Sequence, residues 1–156
     1  MPDESFETEN ENIETDSQNI EMQKYLTFMS NNLVYGIPIE NVVEIITNHN
    51  ITKLPRVPDY VKGIINLRGQ IVPIIDMKQR ISKECSEKTR GTCIIILNVN
   101  DISIGILVDA VSQVINIENK ISAPPAKNHE FISGMTNLPD GTVMFCLNCE
   151  LLVNQK

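Results

Sequence analysis

Two cysteines, Cys146 and Cys149, stand with two residues between them near the end of this 156-residue chain. A pair at that spacing can hold zinc or exchange disulfides, because both sulfurs can converge on one centre. A structural zinc site needs four ligands, yet the chain has no second Cys-x-x-Cys and no Cys-x-x-His. Cys85 and Cys93 have seven residues between them, an atypical spacing for zinc ligands. The expectation is four reduced thiols packed as small hydrophobic side chains, with no metal and no cofactor. A thiol- or metal-dependent small β-barrel protein using Cys146 and Cys149 is the rival reading.

Other reactive types are scattered. His49 and His129 stand beside Asn48, Asn50 and Asn128, with no Ser, Cys or carboxylate in a catalytic pattern, and read as loop histidines. Asp76 and Asp109 each follow an apolar run, as a phosphoacceptor would. Neither has the neighbouring acids that hold magnesium, so both read as strand-end carboxylates. Arg68 and Glu44 are different. A guanidinium offers a planar two-pronged donor to a carboxylate, so Arg68 is expected to meet either a partner or Glu44 itself. Nothing here assembles a catalytic centre, and the chain reads as a non-enzyme.

The elements that position these residues follow from composition. Hydrophobic residues make up 42% of the chain but aromatics only 4%, with no Trp, so Ile, Leu and Val must build the core. That β-branched bias favours strands. The net charge of -7 is concentrated at one end. Residues 1–23 carry eight acids and no Lys or Arg, while residues 24–156 carry twelve acids against thirteen bases. The first segment reads as an acidic, disordered tail. The near-neutral, aromatic-poor remainder has no basic stripe for nucleic acid. No apolar run approaches the ~20 residues of a membrane span, and no basic, then apolar, leader opens the chain. A cytoplasmic protein without direct membrane insertion is expected.

Turn signals divide residues 24–153 into short apolar runs. KYLTFM and LVYGI flank Ser30-Asn31-Asn32, and CIIILNV and ISIGILV flank Asn100-Asp101; both read as hairpins. A shift of 69 residues superposes them, Gly36 on Gly105 and Ile37 on Ile106, and continues with Val42 on Val111 and Ile45 on Val114. Small gaps then bring Gly63 onto Gly134, Asn66 onto Asn137, and IVPIID (71–76) onto VMFCLN (143–148). Repeats at about 25–78 and 93–150 imply an all-β protein of two small barrels, each of about five strands. Each is marginal alone and is stabilised by packing on the other, with a groove between them. Where the first copy has Leu67-Arg68-Gly69-Gln70, the second has Leu138-Pro139-Asp140-Gly141. Arg68 is therefore expected to be dispensable for the turn.

YLTF (25–28), YGIPIENVVEII (35–46), ITKLP (51–55), VKGIINLRGQIVPIIDM (61–77), GILVDAVSQV (105–114) and ISAPP (121–125) resemble successive blocks of the CheW family of bacterial chemotaxis coupling proteins. The resemblance covers residues 24–153, and the NLRG-x-IVP-x-ID block is its most specific part. It implies two intertwined SH3-like five-stranded β-barrels with short helical turns. It also implies an adaptor that binds the regulatory domain of the histidine kinase CheA and the cytoplasmic tip of methyl-accepting chemoreceptors, recruited to receptor arrays at the membrane. A CheW-like adaptor of a non-flagellar chemosensory pathway is the alternative within that family. The expected protein-binding residues are Val42, Glu44, Ile45, Gly63, Arg68, Cys93, Ile94 and Val114.

Overall fold

The computed structural model describes residues 22–47, 49–82, 92–118 and 131–154. Of the expectations above, those for residues 1–21, Cys85, His129 and the ISAPP block lie outside these residues. Among these residues ten strands and two short α-helices follow in order. They are β1 (Met22–Ser30), β2 (Leu33–Pro38), β3 (Val42–Ile46), β4 (Val61–Leu67), β5 (Gln70–Asp76) and α1 (Met77–Ser82). Then come β6 (Cys93–Val99), β7 (Ile102–Val108), β8 (Ala110–Glu118), β9 (Ile132–Asn137), β10 (Val143–Leu147) and α2 (Cys149–Asn154). β1 starts at Met22, so the last two residues of the segment read as tail are strand.

Both hairpins form as read. Asn31 and Asn32 have φ of 56° and 64°, and Asn100 and Asp101 have 53° and 68°. Two left-handed residues in a row make the two-residue turn whose twist matches its strands, and Asn and Asp tolerate that conformation best. The repeat holds down to register. Thr27 pairs with Gly36 in the first hairpin and Ile96 with Gly105 in the second.

The strands are exchanged between the copies. One sheet has the order β8-β1-β2-β10-β9 and the other β3-β6-β7-β5-β4. Each is one copy's hairpin completed by the other copy's last three strands. Neither repeat closes a barrel of its own, which corrects the simpler reading of one barrel per repeat and agrees with intertwined barrels. The cause is local. Only a three-residue helical turn (Ile39–Asn41) separates β2 from β3, and only Asp109 separates β7 from β8. Such short links carry the chain out of its own sheet instead of folding it back.

Three apolar clusters follow. Ile65, Val72, Ile74, Ile94 and Ile96 fill the β3-β6-β7-β5-β4 barrel, and Tyr25, Ile117, Met144 and Cys146 fill the other. A larger shared core lies between them, with Leu26, Phe28, Tyr35, Ile37, Cys93, Ile95, Leu97, Ile104 and Ile106 among its members. The run CIIILNV is explained by this. Alternate side chains of β6 point into the barrel (Ile94, Ile96) and into the shared core (Cys93, Ile95, Leu97), so both faces are apolar.

Candidate functional site

The β4–β5 turn and β3 bring Arg68 and Glu44 together. Arg68 Nη2 donates to Glu44 Oε1 and Nη1 donates to Oε2 at 3.4 Å, a bidentate pair. The pair joins the β4–β5 hairpin to the opposite edge of the same sheet, since β3 pairs only with β6. Thr52 and Ile64 complete the closure with reciprocal backbone hydrogen bonds of 2.9 Å. Arg68 is exposed, and its ionisation is pushed further up by the Glu44 carboxylate. In the other barrel Gln113 takes the place of Glu44. Its backbone N–H and C=O are bonded to the Thr27 hydroxyl at 3.1 and 2.8 Å, inside a bulge of β1 and β8. The ion pair belongs to one barrel alone.

The turn itself corrects the sequence argument about Arg68. Leu67 pairs with Gln70, so Arg68 and Gly69 form a two-residue loop, with φ of 53° and 85°. In the second copy Asn137 pairs with Val143, which leaves one residue more in the turn. The Leu138 carbonyl closes that turn on Gly141 N–H at 2.9 Å. The two turns differ in length, so Pro139-Asp140-Gly141 says nothing about Arg68. A different fact does. The first position of this turn favours Asn, Asp or Gly, and an Arg there is held against local preference.

The bulge in β3 sets what surrounds the pair. Val42 pairs with Leu97 and Glu44 with Ile96, which leaves Val43 as the extra residue, 52% exposed. Ile45 is 43% exposed on the same edge strand. Val42 is half-buried against the shared core. Val114 takes the place of Ile45 on β8 of the other barrel and is likewise exposed. The expected site residues thus divide. Glu44 and Arg68 meet on one barrel, Ile45 follows Glu44 on the same strand but faces the other side of the sheet, and Val114 stands at the matching place on the other barrel.

Cys93 and Ile94 were expected at the surface but are buried, Cys93 in the shared core and Ile94 inside a barrel. A strand covered on both faces has no side free for a partner. Gly63 is also buried. Its φ is 148°, and a Cβ there would meet the Thr52 carbonyl oxygen at 2.2 Å, so its role is to let the closing segment approach β4.

Four further exposed apolar residues, outside the expected set, stand at matching positions of the two copies. Leu33 and Ile102 are repeat equivalents, as are Ile71 and Val143, and all four are exposed. Met144 pairs with Val34, so Val143 and Leu33 are adjacent on neighbouring strands. Ile74 pairs with Gly105, and three residues back along both strands stand Ile71 and Ile102. By strand alternation all four lie on the sheet faces that build the shared core. Their signal in the sequence was apolar character retained at matching positions of both copies.

The thiols are placed as packing groups. Cys146 is in a barrel interior and Cys149 in the shared core. Burial pushes the Cys146 thiol up to about 11 and the Cys149 thiol up to about 12, the latter with a contribution from the Glu150 carboxylate. A buried neutral thiol is a poor nucleophile and a poor metal ligand. Asp76 is buried, and its Oδ1 accepts from the Lys78 and Gln79 N–H groups at 3.0 and 3.3 Å, capping α1. Asn148, its repeat equivalent, caps α2 in the same way. Asp109 Oδ2 accepts from Asn31 N–H at 3.0 Å. His49 is half-buried in the segment after β3. Among the described residues no helix is long and apolar enough to cross a membrane.

Known proteins with this pattern agree with the geometry. The CheW-like domain family model matches residues 24–156. The chemotaxis protein CheW of Klebsiella aerogenes is 39% identical over 95 residues, which are 61% of this chain and 57% of that protein. The Bacillus subtilis chemotaxis protein CheW is 36% identical over 104 residues, 66% of this chain and 67% of that one. Protein FrzA of Myxococcus xanthus is 34% identical over 61 residues, 39% of this chain and 38% of that protein. The crystal structure of the scaffolding protein TtCheW from Thermoanaerobacter tengcongensis superposes with a TM-score of 0.79 at 34% identity, covering 86% of this chain and 96% of that one. With its exchanged five-stranded sheets and its NLRG turn, this chain belongs to the CheW-like family of chemotaxis scaffold proteins.

Proposed function

We propose that this chain is a non-catalytic adaptor that couples methyl-accepting chemoreceptors to the histidine kinase CheA, recruited from the cytoplasm to receptor arrays. The observation that carries this reading is the Glu44–Arg68 pair on an edge strand whose Val43 and Ile45 are also exposed, at the rim of one barrel. An adaptor must offer a partner both fixed charge and uncovered apolar area, and this rim has both. The kinase's regulatory domain is assigned to this rim, with Val114 on the matching edge of the second barrel as a further contact. The receptor's helical tip is assigned to the apolar pairs Leu33–Val143 and Ile71–Ile102, whose side chains continue the shared-core faces out to solvent. An amphipathic helical surface buries its apolar stripe on such strips.

The reading is tested by titrating the full chain separately against the kinase regulatory domain and a receptor-tip fragment, and then by measuring kinase activity in reconstituted arrays. Saturable binding to both and receptor-dependent kinase activation are expected. Failure to bind either component from the native cell would overturn it.

A further inference from the structure

Tyr60 and Phe131 hold the same position in the two copies, three residues before Gly63 and Gly134. Their surroundings repeat as well. The Tyr60 carbonyl accepts from Asp76 N–H at 2.8 Å, and the Phe131 carbonyl accepts from Asn148 N–H at 2.8 Å. Tyr60 leads into β4 in one sheet and Phe131 into β9 in the other. These two equivalent corners meet on a single side chain. The Arg80 guanidinium carbon lies 3.9 Å from the Tyr60 ring centroid and 4.5 Å from that of Phe131. Arg80 is on α1, directly after β5, so its contact with Phe131 crosses from one barrel to the other.

A point between two repeat-equivalent residues lies close to the axis relating the copies, where one side chain cannot serve both halves equally. The counterpart of Arg80 is Leu152, three residues after Cys149 as Arg80 is three after Met77, and Leu152 is buried in the shared core. The fold therefore accommodates an apolar side chain at this position. Arg80 instead brings a guanidinium whose Nε and Nη2 are buried without a hydrogen-bond acceptor among the described residues. Buried donors left unpaired oppose folding, and Met77 and Ile81 already anchor α1 to the core. What Arg80 adds is directional. Its guanidinium carbon lies over two rings, one from each barrel, and cation–π contacts of that length are strong where water is excluded.

We propose that Arg80 is a positioning residue: lying over Tyr60 and Phe131, it pins equivalent corners of the two barrels together and fixes the spacing of the surfaces they carry. Its effect on partner binding rests on the adaptor reading above; its effect on barrel spacing does not.

The experiment uses the full chain in a Cys85→Ser background, with spin labels at Gln70→Cys and Thr142→Cys. These exposed, repeat-equivalent positions flank the last turn of each barrel. Double electron–electron resonance gives the distance between the barrels. Thermal unfolding and titration with the kinase regulatory domain accompany it. Arg80→Leu installs the residue used by the other copy, and Arg80→Gln keeps a planar group without the cation. Both variants are expected to remain folded, with Arg80→Leu at least as stable as wild type. Both should show a displaced or broadened distance distribution and about tenfold weaker kinase-domain binding, equivalent to about 1.4 kcal/mol. Wild-type distances in both variants would overturn the proposal, whatever their stability. If Arg80→Leu fails to fold, the distances in Arg80→Gln decide alone. If the wild-type chain itself does not bind the kinase domain, the adaptor reading fails while the distances still judge Arg80.

Discussion

Arg68 reaches Glu44 from a backbone conformation, φ 53°, that asparagine or glycine adopts more readily. A non-glycine residue in the left-handed region costs about 1 kcal/mol, while an exposed, solvent-screened ion pair returns little. For the fold alone, Arg68 is a poor choice. Its presence is better explained by what the guanidinium contacts than by the turn it occupies.

Arg68→Asn should therefore leave stability within about 1 kcal/mol of wild type, or raise it, while weakening kinase coupling. Arg68→Ala is the less informative variant, because alanine keeps the backbone penalty. Urea unfolding and kinase activity in reconstituted arrays separate the two effects. Full coupling by a stable Arg68→Asn at limiting adaptor would remove Arg68 from the functional site. A double-mutant cycle with Glu44→Ala then shows whether the pair acts as a unit or Arg68 meets the partner directly.

The exchange of strands makes a strong statement about fragments. Residues 22–82 hold β1 to β5 and α1, yet β1 and β2 need β8 and β10, while β3, β4 and β5 need β6 and β7. Neither residues 22–82 nor residues 92–154 should unfold cooperatively alone. Mixed together, they should regain a sharp thermal transition, since every missing neighbour is in the other fragment. A cooperative transition in either half by itself would contradict this topology.

Asp76 and Asn148 predict a graded cap series. Replacing either by Ala removes the acceptor for two helix N–H groups and should cost about 0.5–2 kcal/mol in urea unfolding. Asp76→Ala should cost more, because Asp76 is buried and its Oδ2 also lies 3.9 Å from Lys62 Nζ. Asp76→Asn, which copies the second repeat, should retain most of the cap. An Asp76→Ala variant of wild-type stability would show that the cap does not hold α1.

The thiols set an alkaline limit. Cys146 and Cys149 titrate at about 11 and about 12 in the fold, above their ordinary value of 9.0. The unfolded chain thus releases these protons first as pH rises. Their contribution to stability is complete below about pH 9 and is lost progressively between 9 and 12. Replacing Cys146 by Val and Cys149 by Ala should flatten that decline, at a cost of about 1–3 kcal/mol at neutral pH if packing suffers. Urea midpoints across this pH range provide the check. An unchanged alkaline slope in the double variant would assign the decline to other groups, of which Tyr25, pushed up to about 12 mainly by burial, is the first to consider.

What the sequence determined by itself is local or periodic. Paired left-handed Asn and Asp residues specify both hairpins, the β-branched runs specify the strands, and the matching order of blocks reveals the repeat down to the pairing of Thr27 with Gly36 and Ile96 with Gly105. Such features depend on neighbours in the chain, so they are readable there. Which sheet a strand joins is decided by partners far along the chain, and only the tertiary structure shows the two hairpins traded between barrels. That trade buries Cys93 and Ile94 on opposite faces of one strand. It brings Arg68 across to Glu44 and sets Arg80 between Tyr60 and Phe131. An apolar strand reads the same whether one face or both are covered, and a lone charge reads the same with or without a partner. The contacts that separate these cases exist only after the strands have paired.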